Sequence, residues 1–345
     1  MRSGSLIFQS VANEAILLHW KLVSIGQRNI VMVAIVEQWK MGIDMRCEPG
    51  EKAPLTLRYL GGMKRVLLPV DFSPRDAAAA HYVKQLYKKS PFETVLLHVV
   101  PPPDYEAAVL EAGGPVLQEL MDTRRKLGQD RLNETCLQEL DGMPVKRVLR
   151  EGFPSEQIIQ YASENQMDLI VLPTHGYGPF RRFLLGSVTS KVLHDSQCPV
   201  LTGAHMETPK LEEIHFDKVA AAIDLSGSSV KVIEKAKALA DLLGAKLVVL
   251  HAMEGINAHV GFNFESAHEL HFEAAVQQRM AELTTGLDVE TLIETGDPAK
   301  TVAALVARCG ADLVVIARST SHGLAALRTQ TYAIIRESPV PVLSV

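Results

Sequence analysis

The sequence predicts an α/β protein made of two tandem, doubly wound domains, each with a five-stranded, mainly parallel sheet. Three observations carry this. The first is an internal repeat. KRVLLPVDF (64–72) returns as KVAAAIDL (218–225), VLLHVV (95–100) as VVLHAM (248–253), and VLHDSQCPVL (192–201) as IIRESPVPVL (334–343). Between them, EGFPSEQIIQYASENQMDLIVLPTHG (151–176) has its counterpart in residues 294–323. The second is that the Val/Ile/Leu runs are continuous and do not alternate with polar residues, as strands buried on both faces of a parallel sheet do. The third is that these runs are separated by longer segments of helical period, the pattern of a doubly wound sheet.

In the first copy the strands fall near 65–70, 94–100, 145–150, 168–173 and 199–203, and the helices near 74–89, 115–140, 154–166 and 186–196. In the second copy the strands fall near 217–223, 246–252, 288–293, 312–317 and 340–345, and the helices near 227–243, 265–285, 298–309 and 328–337. Pro154 and Pro298 suit the first turns of their helices, where a missing N–H costs nothing. The last strand of each copy, PVLTG and VPVLSV, is apolar and lies at a sheet edge, so it needs a cover. Pseudo-two-fold pairing between the two copies would supply it. A further two-fold dimer of the whole chain is also expected. The domains are placed at 63–205 and 214–345.

Residues 1–62 stand outside the repeat. They carry apolar stretches without strand–helix alternation, then the polar run Glu48 to Pro54. Met63 opens the first repeat like a natural start. The segment reads as an extension, either a start codon assigned too early or a poorly packed arm, with a docked amphipathic helix as the plainer alternative.

Composition excludes several classes. A net charge of −5 opposes general nucleic-acid binding, which needs a basic surface. Cys47, Cys136, Cys198 and Cys309 are scattered, with no CxxC pair, as expected for reduced thiols in a cytoplasmic protein. The apolar run Ile30 to Val36 is too short to span a bilayer, and no signal peptide is evident.

The strongest local feature is His175–Gly176, then nine residues, then Gly186–Ser187–Val188–Thr189. It follows the strand LIVLPT and opens a helix. In a doubly wound sheet, ligands bind beyond the carboxyl ends of the strands at the topological switch point. A helix beginning there points unpaired N–H groups and its dipole at a phosphate. Glycine lets the backbone approach closely, and Ser187 and Thr189 add hydroxyls. A tight loop with a cap explains the same spacing equally well. Asp71 lies at the same sheet edge and reads either as a contact to base or ribose or as a plain helix cap. His98 and His251 recur at strand ends and read as packed, hydrogen-bonded histidines. Arg181 and Arg182 read either as contacts to a terminal phosphate or as exposed helix or loop charges, and Arg318 as a solvated charge on the rim. His259, His268 and His271 with Glu265, Glu269 and Glu273 read as a solvated helix face, short of a metal site. No GxSxG, GxxxxGK[ST] or HExxH occurs, and no catalytic set is identified.

With these residues in view, copy one resembles the universal stress protein family along 63–203, through KRVLLPVDFS, VLLHVV, EGFPSEQI, DLIVLPTHG and LLGSVTSKVLHDSQCPVL. The resemblance implies a Rossmann-like, adenine nucleotide alpha-hydrolase-like fold and a role in stress response. Its ATP-binding members are similar in carrying Gly-x2-Gly-x9-Gly-Ser/Thr here. By that likeness Asp71 and Val99 would contact the adenosine, and Gly176, Gly186, Ser187, Val188 and Thr189 would surround the phosphates of ATP, carried with Mg. Pro173 stands where the first glycine is expected and removes one N–H. Copy two is similar over 214–345, but Arg328–Thr329 stands opposite Gly186–Ser187, and its loop is shorter. The implied partner is therefore an adenine nucleotide in copy one, with copy two degenerate. The rival readings are a nucleotide-free interaction protein, a slow ATPase or self-phosphorylating protein, and a carrier with an apolar cleft in copy two.

Overall fold

The computed structural model describes residues 3–9, 15–24, 30–35, 62–102, 114–174, 185–203, 214–253, 266–318 and 326–345. The chain divides into two compact units, Met1–Ala53 and Pro54–Val345. In the first, β1 (Ser3–Gln9), β2 (Ala15–Ser24) and β3 (Ile30–Ile35) form an antiparallel sheet in the order β1-β2-β3, with Ser3 opposite Lys21 and His19 opposite Ile35. A docked helix was one expectation for this stretch, but its described residues are strands. The pattern agrees: Ile16, Leu18, Trp20 and Leu22 fall at alternate positions in β2, a period of two.

In the second unit, the first copy supplies β4 (Arg65–Pro69), α1 (Arg75–Lys89), β5 (Glu93–Val100), α2 (Gly114–Glu134), β6 (Val145–Glu151), α3 (Pro154–Glu164), β7 (Leu169–Val171), α4 (Ser187–Asp195) and β8 (Val200–Thr202). The second supplies β9 (Lys218–Ile223), α5 (Ser229–Leu243), β10 (Lys246–Met253), α6 (Ser266–Leu283), β11 (Glu290–Thr295), α7 (Pro298–Cys309), β12 (Leu313–Ile316), α8 (Ala326–Glu337) and β13 (Val342–Ser344). All ten strands join one sheet in the order β11-β10-β9-β12-β13-β8-β7-β4-β5-β6. The order is a palindrome of the two copies. Neighbours within each copy are parallel. At the centre β13 and β8 run antiparallel, with Leu343 opposite Leu201. The pairing between copies expected from their apolar last strands is thus formed, and neither strand remains an edge.

Burial explains the continuous apolar runs. Alternate residues of one strand feed two separate cores. Val66 and Leu68 join a core with Val219, Ala221, Val315 and Leu343, while Leu67 joins Val200, Ala220, Val314 and Val342 on the other face. Residues of α1, α2, α5 and α6 cover the first face, and residues of α3, α4, α7 and α8 cover the second. Each core therefore runs across both copies, and the inner strands are dry on both faces, while the edge strands β6 and β11 are partly exposed.

One polar device recurs. Asp168, just before β7, accepts backbone N–H bonds from Lys64 (2.8 Å) and Arg65 (2.9 Å). Asp312, just before β12, accepts them from Asp217 (2.7 Å) and Lys218 (2.9 Å). Each carboxylate pins the start of its copy's first strand to the start of its fourth, the two strands that flank the switch point. Asp168→Ala is expected to cost about 1–3 kcal/mol, because two N–H donors lose a charged acceptor. Asp312→Ala should cost the same within error. A urea titration showing neither loss would remove this pin from the account.

Candidate functional site

The chain leaves β4 towards β5 and β6, then returns on the other side to β7 and β8. Beyond the carboxyl ends of β4 and β7 the chain passes to opposite faces of the sheet, to α1 on one and α4 on the other, and such a switch point is where doubly wound sheets bind ligands. On one side is the turn after β4. Asp71 is exposed, and its Oδ1 accepts the Ser73 N–H at 3.0 Å. This short-range bond helps fold the chain back into α1, with Phe72 in the left-handed region at φ 64°. Asp76, buried in the first turn of α1, accepts N–H bonds from Phe72 (2.7 Å) and Asp71 (3.4 Å). Burial, followed by the neighbouring charge of Asp71, pushes the Asp76 carboxyl up to about 7.

The floor is β5. Val99 is buried near its end. His98 donates from Nδ1 to the Val70 carbonyl at 2.9 Å, and its ring lies 4.0 Å from that of Phe72. Burial holds the imidazole below its ordinary value, and the ring is packed and hydrogen-bonded; its counterpart His251 makes the same bond to the Ile223 carbonyl (2.9 Å).

On the other side is the start of α4. Gly186 is its N-cap, with extended backbone and no side-chain cap, and no acidic residue stands in the first turn. By contrast, α7 is capped by Asp297, which accepts from the Lys300 N–H at 3.1 Å. Gly186 donates its own N–H to the Thr174 carbonyl at 2.9 Å, and its carbonyl accepts from the Ser190 N–H at 2.8 Å. Ser187 is exposed, Val188 half-buried and Thr189 buried. The Thr189 hydroxyl donates to the Pro173 carbonyl at 3.0 Å. Two bonds therefore lash α4 to the end of β7, and Pro173 takes part through its oxygen despite lacking an N–H. The structure thus places Gly186, Ser187, Val188 and Thr189 on the β7 side of the switch point, and Asp71 and Val99 on the side of β4 and β5. Gly176, His175, Arg181 and Arg182 lie outside the described residues.

Comparison with known proteins follows the same division. A model of the Universal stress protein family matches residues 62–202 and again 215–345. The chain belongs to the universal stress protein family. Universal stress protein MJ0577 of Methanocaldococcus jannaschii is 31% identical over 150 residues, covering 40% of this chain and 93% of its own length. A universal stress protein of Thermus aquaticus is 31% identical over 140 residues, covering 40% and 96%. Each spans one copy. The solved universal stress protein from Archaeoglobus fulgidus matches across both, with a TM-score of 0.56, 24% identity, and coverage of 81% of this chain and 95% of that one. The last likeness shows the fold.

The second universal stress protein domain departs from the first at the same edge. Asp224 accepts from the Ser226 N–H (3.0 Å) and the Ser229 hydroxyl (3.1 Å). Burial pushes its carboxyl up, but the bonds from Ser226 and Ser229 outweigh that and leave it below its usual range. Ser229 thus stands where the first domain has buried Asp76. Helix α8 begins at Ala326, so Arg328 falls inside the helix, whereas Gly186 precedes α4. Residues 321–323 lie outside the described residues, as do His259 and Glu265 and the side chains of His268, Glu269 and His271.

Arg318 corrects its reading as a solvated rim charge. It is half-buried, and its guanidinium reaches the first domain, donating to the carbonyls of Ser196 and Cys198. Asp76 and Arg318 were both missed as structural residues of the site. Arg318 had one signal: LIVLPT and LVVIAR align, which sets an arginine against Thr174.

Proposed function

We propose that the first domain binds an adenine nucleotide, ATP with Mg²⁺, and that the protein serves a cellular stress response by nucleotide-dependent changes in conformation or partner binding. The observation that carries this reading is the start of α4. Its N-cap is Gly186, which has no side chain to cap it, its first turn holds no acidic residue, and it follows β7, which with β4 flanks the switch point. The residues fit a polyphosphate. The backbone N–H groups at the start of α4 would hold the phosphate, favoured by the helix dipole. Exposed Ser187 would add its hydroxyl, while the Thr189 hydroxyl, already spent on Pro173, holds the helix in place. Asp71 and Val99 would flank the adenosine. The nucleotide supplies a phosphate chain whose charge reports its own state.

Among the described residues, no group of three or more His, Cys, Asp or Glu side chains could hold a metal, so Mg²⁺ would come bound to the phosphates. The sequence carries no GxSxG, GxxxxGK[ST] or HExxH motif, and we read the site as one for sensing, with slow hydrolysis at most. We place the protein in the cytoplasm as a homodimer. Among the described residues, no helix is long and apolar enough to cross a membrane.

Titration calorimetry of Mg-ATP into the full chain tests the reading. Wild type is expected to bind, and Gly186→Arg to lose at least about tenfold in affinity, or 1.4 kcal/mol, by filling the phosphate position. Wild type that gives no heat and retains no nucleotide on purification would sink it. That result would favour a nucleotide-free interaction protein, which the missing N–H of Pro173 supports.

A further inference from the structure

We infer that Arg318, seconded by Tyr332, is a positioning residue through which the second domain sets the phosphate helix of the first. The inference deepens the nucleotide reading above and rests on it for its affinity arm.

Arg318 follows β12 at the switch point of the second domain. Its backbone N–H is tied to the Val345 carbonyl at 2.8 Å, which aims the side chain over the β13/β8 junction. There the guanidinium donates to three carbonyls: Ser196, Cys198 at 2.8 Å and Ser344 at 3.1 Å. Ser196 is the C-cap of α4, and Cys198 lies in the link from α4 to β8. A planar fork of fixed donors suits converging carbonyls, and a cation at a helix C-terminus complements the dipole. A second grip falls higher on the same helix. The Tyr332 hydroxyl, from α8, donates to the Ser190 carbonyl at 3.1 Å. Ser190 in turn closes the first turn through its N–H on the Gly186 carbonyl, and Gly186 is bonded to Thr174. Contacts made by the second domain therefore reach both ends of α4, including the turn proposed to hold phosphate.

The repeats differ at these two positions. In the aligned repeats Thr174 occupies the Arg318 position and Ser190 the Tyr332 position, and both have much shorter side chains.

The test uses the full chain with Arg318→Ala, Arg318→Lys and Tyr332→Phe. Hydrogen exchange without nucleotide comes first. Arg318→Ala should speed exchange of the α4 amides, while those of β8 and β13 keep wild-type protection, and Arg318→Lys should restore part of the loss. Unchanged α4 exchange, or equal loss across α4, β8 and β13, would overturn the inference by making Arg318 inert or a general staple. Mg-ATP titration comes second. Arg318→Ala should weaken binding about fivefold or more, a typical coupling between sites, and Tyr332→Phe by less. Looser α4 with unchanged affinity would overturn the positioning role. If wild type itself takes up no nucleotide, the nucleotide reading fails on its own, and the exchange pattern still decides whether the brace exists.

Discussion

Leu343→Asp is expected to part the ten-stranded sheet at its centre, at a cost above about 4 kcal/mol. Leu343 is 4% exposed and Leu201, opposite it, 1%. Both belong to the core that runs across the two copies. Each of the two strands is only three residues long, so little backbone pairing stands in reserve. The approach is also tight: a Cβ on Gly203 would meet the Pro341 Cα at 3.0 Å. Losing the leucine alone, as in Leu343→Ala, should cost about 2–5 kcal/mol. Aspartate adds a carboxylate with no partner in an apolar site, which must take up a proton or open the junction to water. In guanidinium titrations the variant should therefore regain part of its stability at low pH, where the carboxyl is neutral, and Leu343→Ala should not. An unchanged midpoint for Leu343→Asp would mean that the junction contributes little to holding the two domains together.

The same junction shows what could be read in advance. PVLTG and VPVLSV are too apolar to be left uncovered at an edge, so their pairing followed from the chain itself. The strands were legible for a related reason, since residues dry on both sides cannot alternate. Boundaries were less so. The helix expected over 115–140 ends at Glu134, and Cys136 lies at φ 54°, a conformation that does not continue an α-helix. At the site, the placement of Gly186 before a helix could be read because it depends on neighbours in the chain. Arg318 could not, because its partner Cys198 lies 120 residues away and a local pattern makes an arginine at a strand end look solvated. Asp76 was obscured in the same way. In Asp-Ala-Ala-Ala-Ala it looks like an ordinary acidic first turn, and only the left-handed turn at Phe72 brings two backbone N–H groups onto it. The strands within residues 3–35 escaped because they form a three-stranded sheet of their own, outside the repeat.

Asp76→Asn is expected to remove a pH-dependent loss of stability centred on the first domain. The Asp76 carboxyl titrates at about 7 in the folded protein against 3.8 ordinarily. Burial is the main cause, and the nearby charge of Asp71 adds to it. Between these values the folded state holds a proton that the unfolded chain has released. The stability carried by the neutral carboxyl is therefore complete below about 3.8 and is lost as pH rises to about 7, on the order of 2–4 kcal/mol in all. Asparagine imitates the neutral acid: its oxygen can accept the Phe72 N–H, and its amide can donate to the Asp71 carboxylate. The variant should thus match wild type near pH 4 and exceed it above pH 8 by about that amount. Subtracting the two stability curves cancels the other titrating groups, and the second domain contributes nothing to the difference because Ser229 stands in the equivalent place. Urea unfolding of both proteins from pH 4 to 9 gives the curve directly. A difference that stays flat across that range would show that Asp76 is already ionised in the folded protein at acid pH, and that its two backbone bonds outweigh its burial.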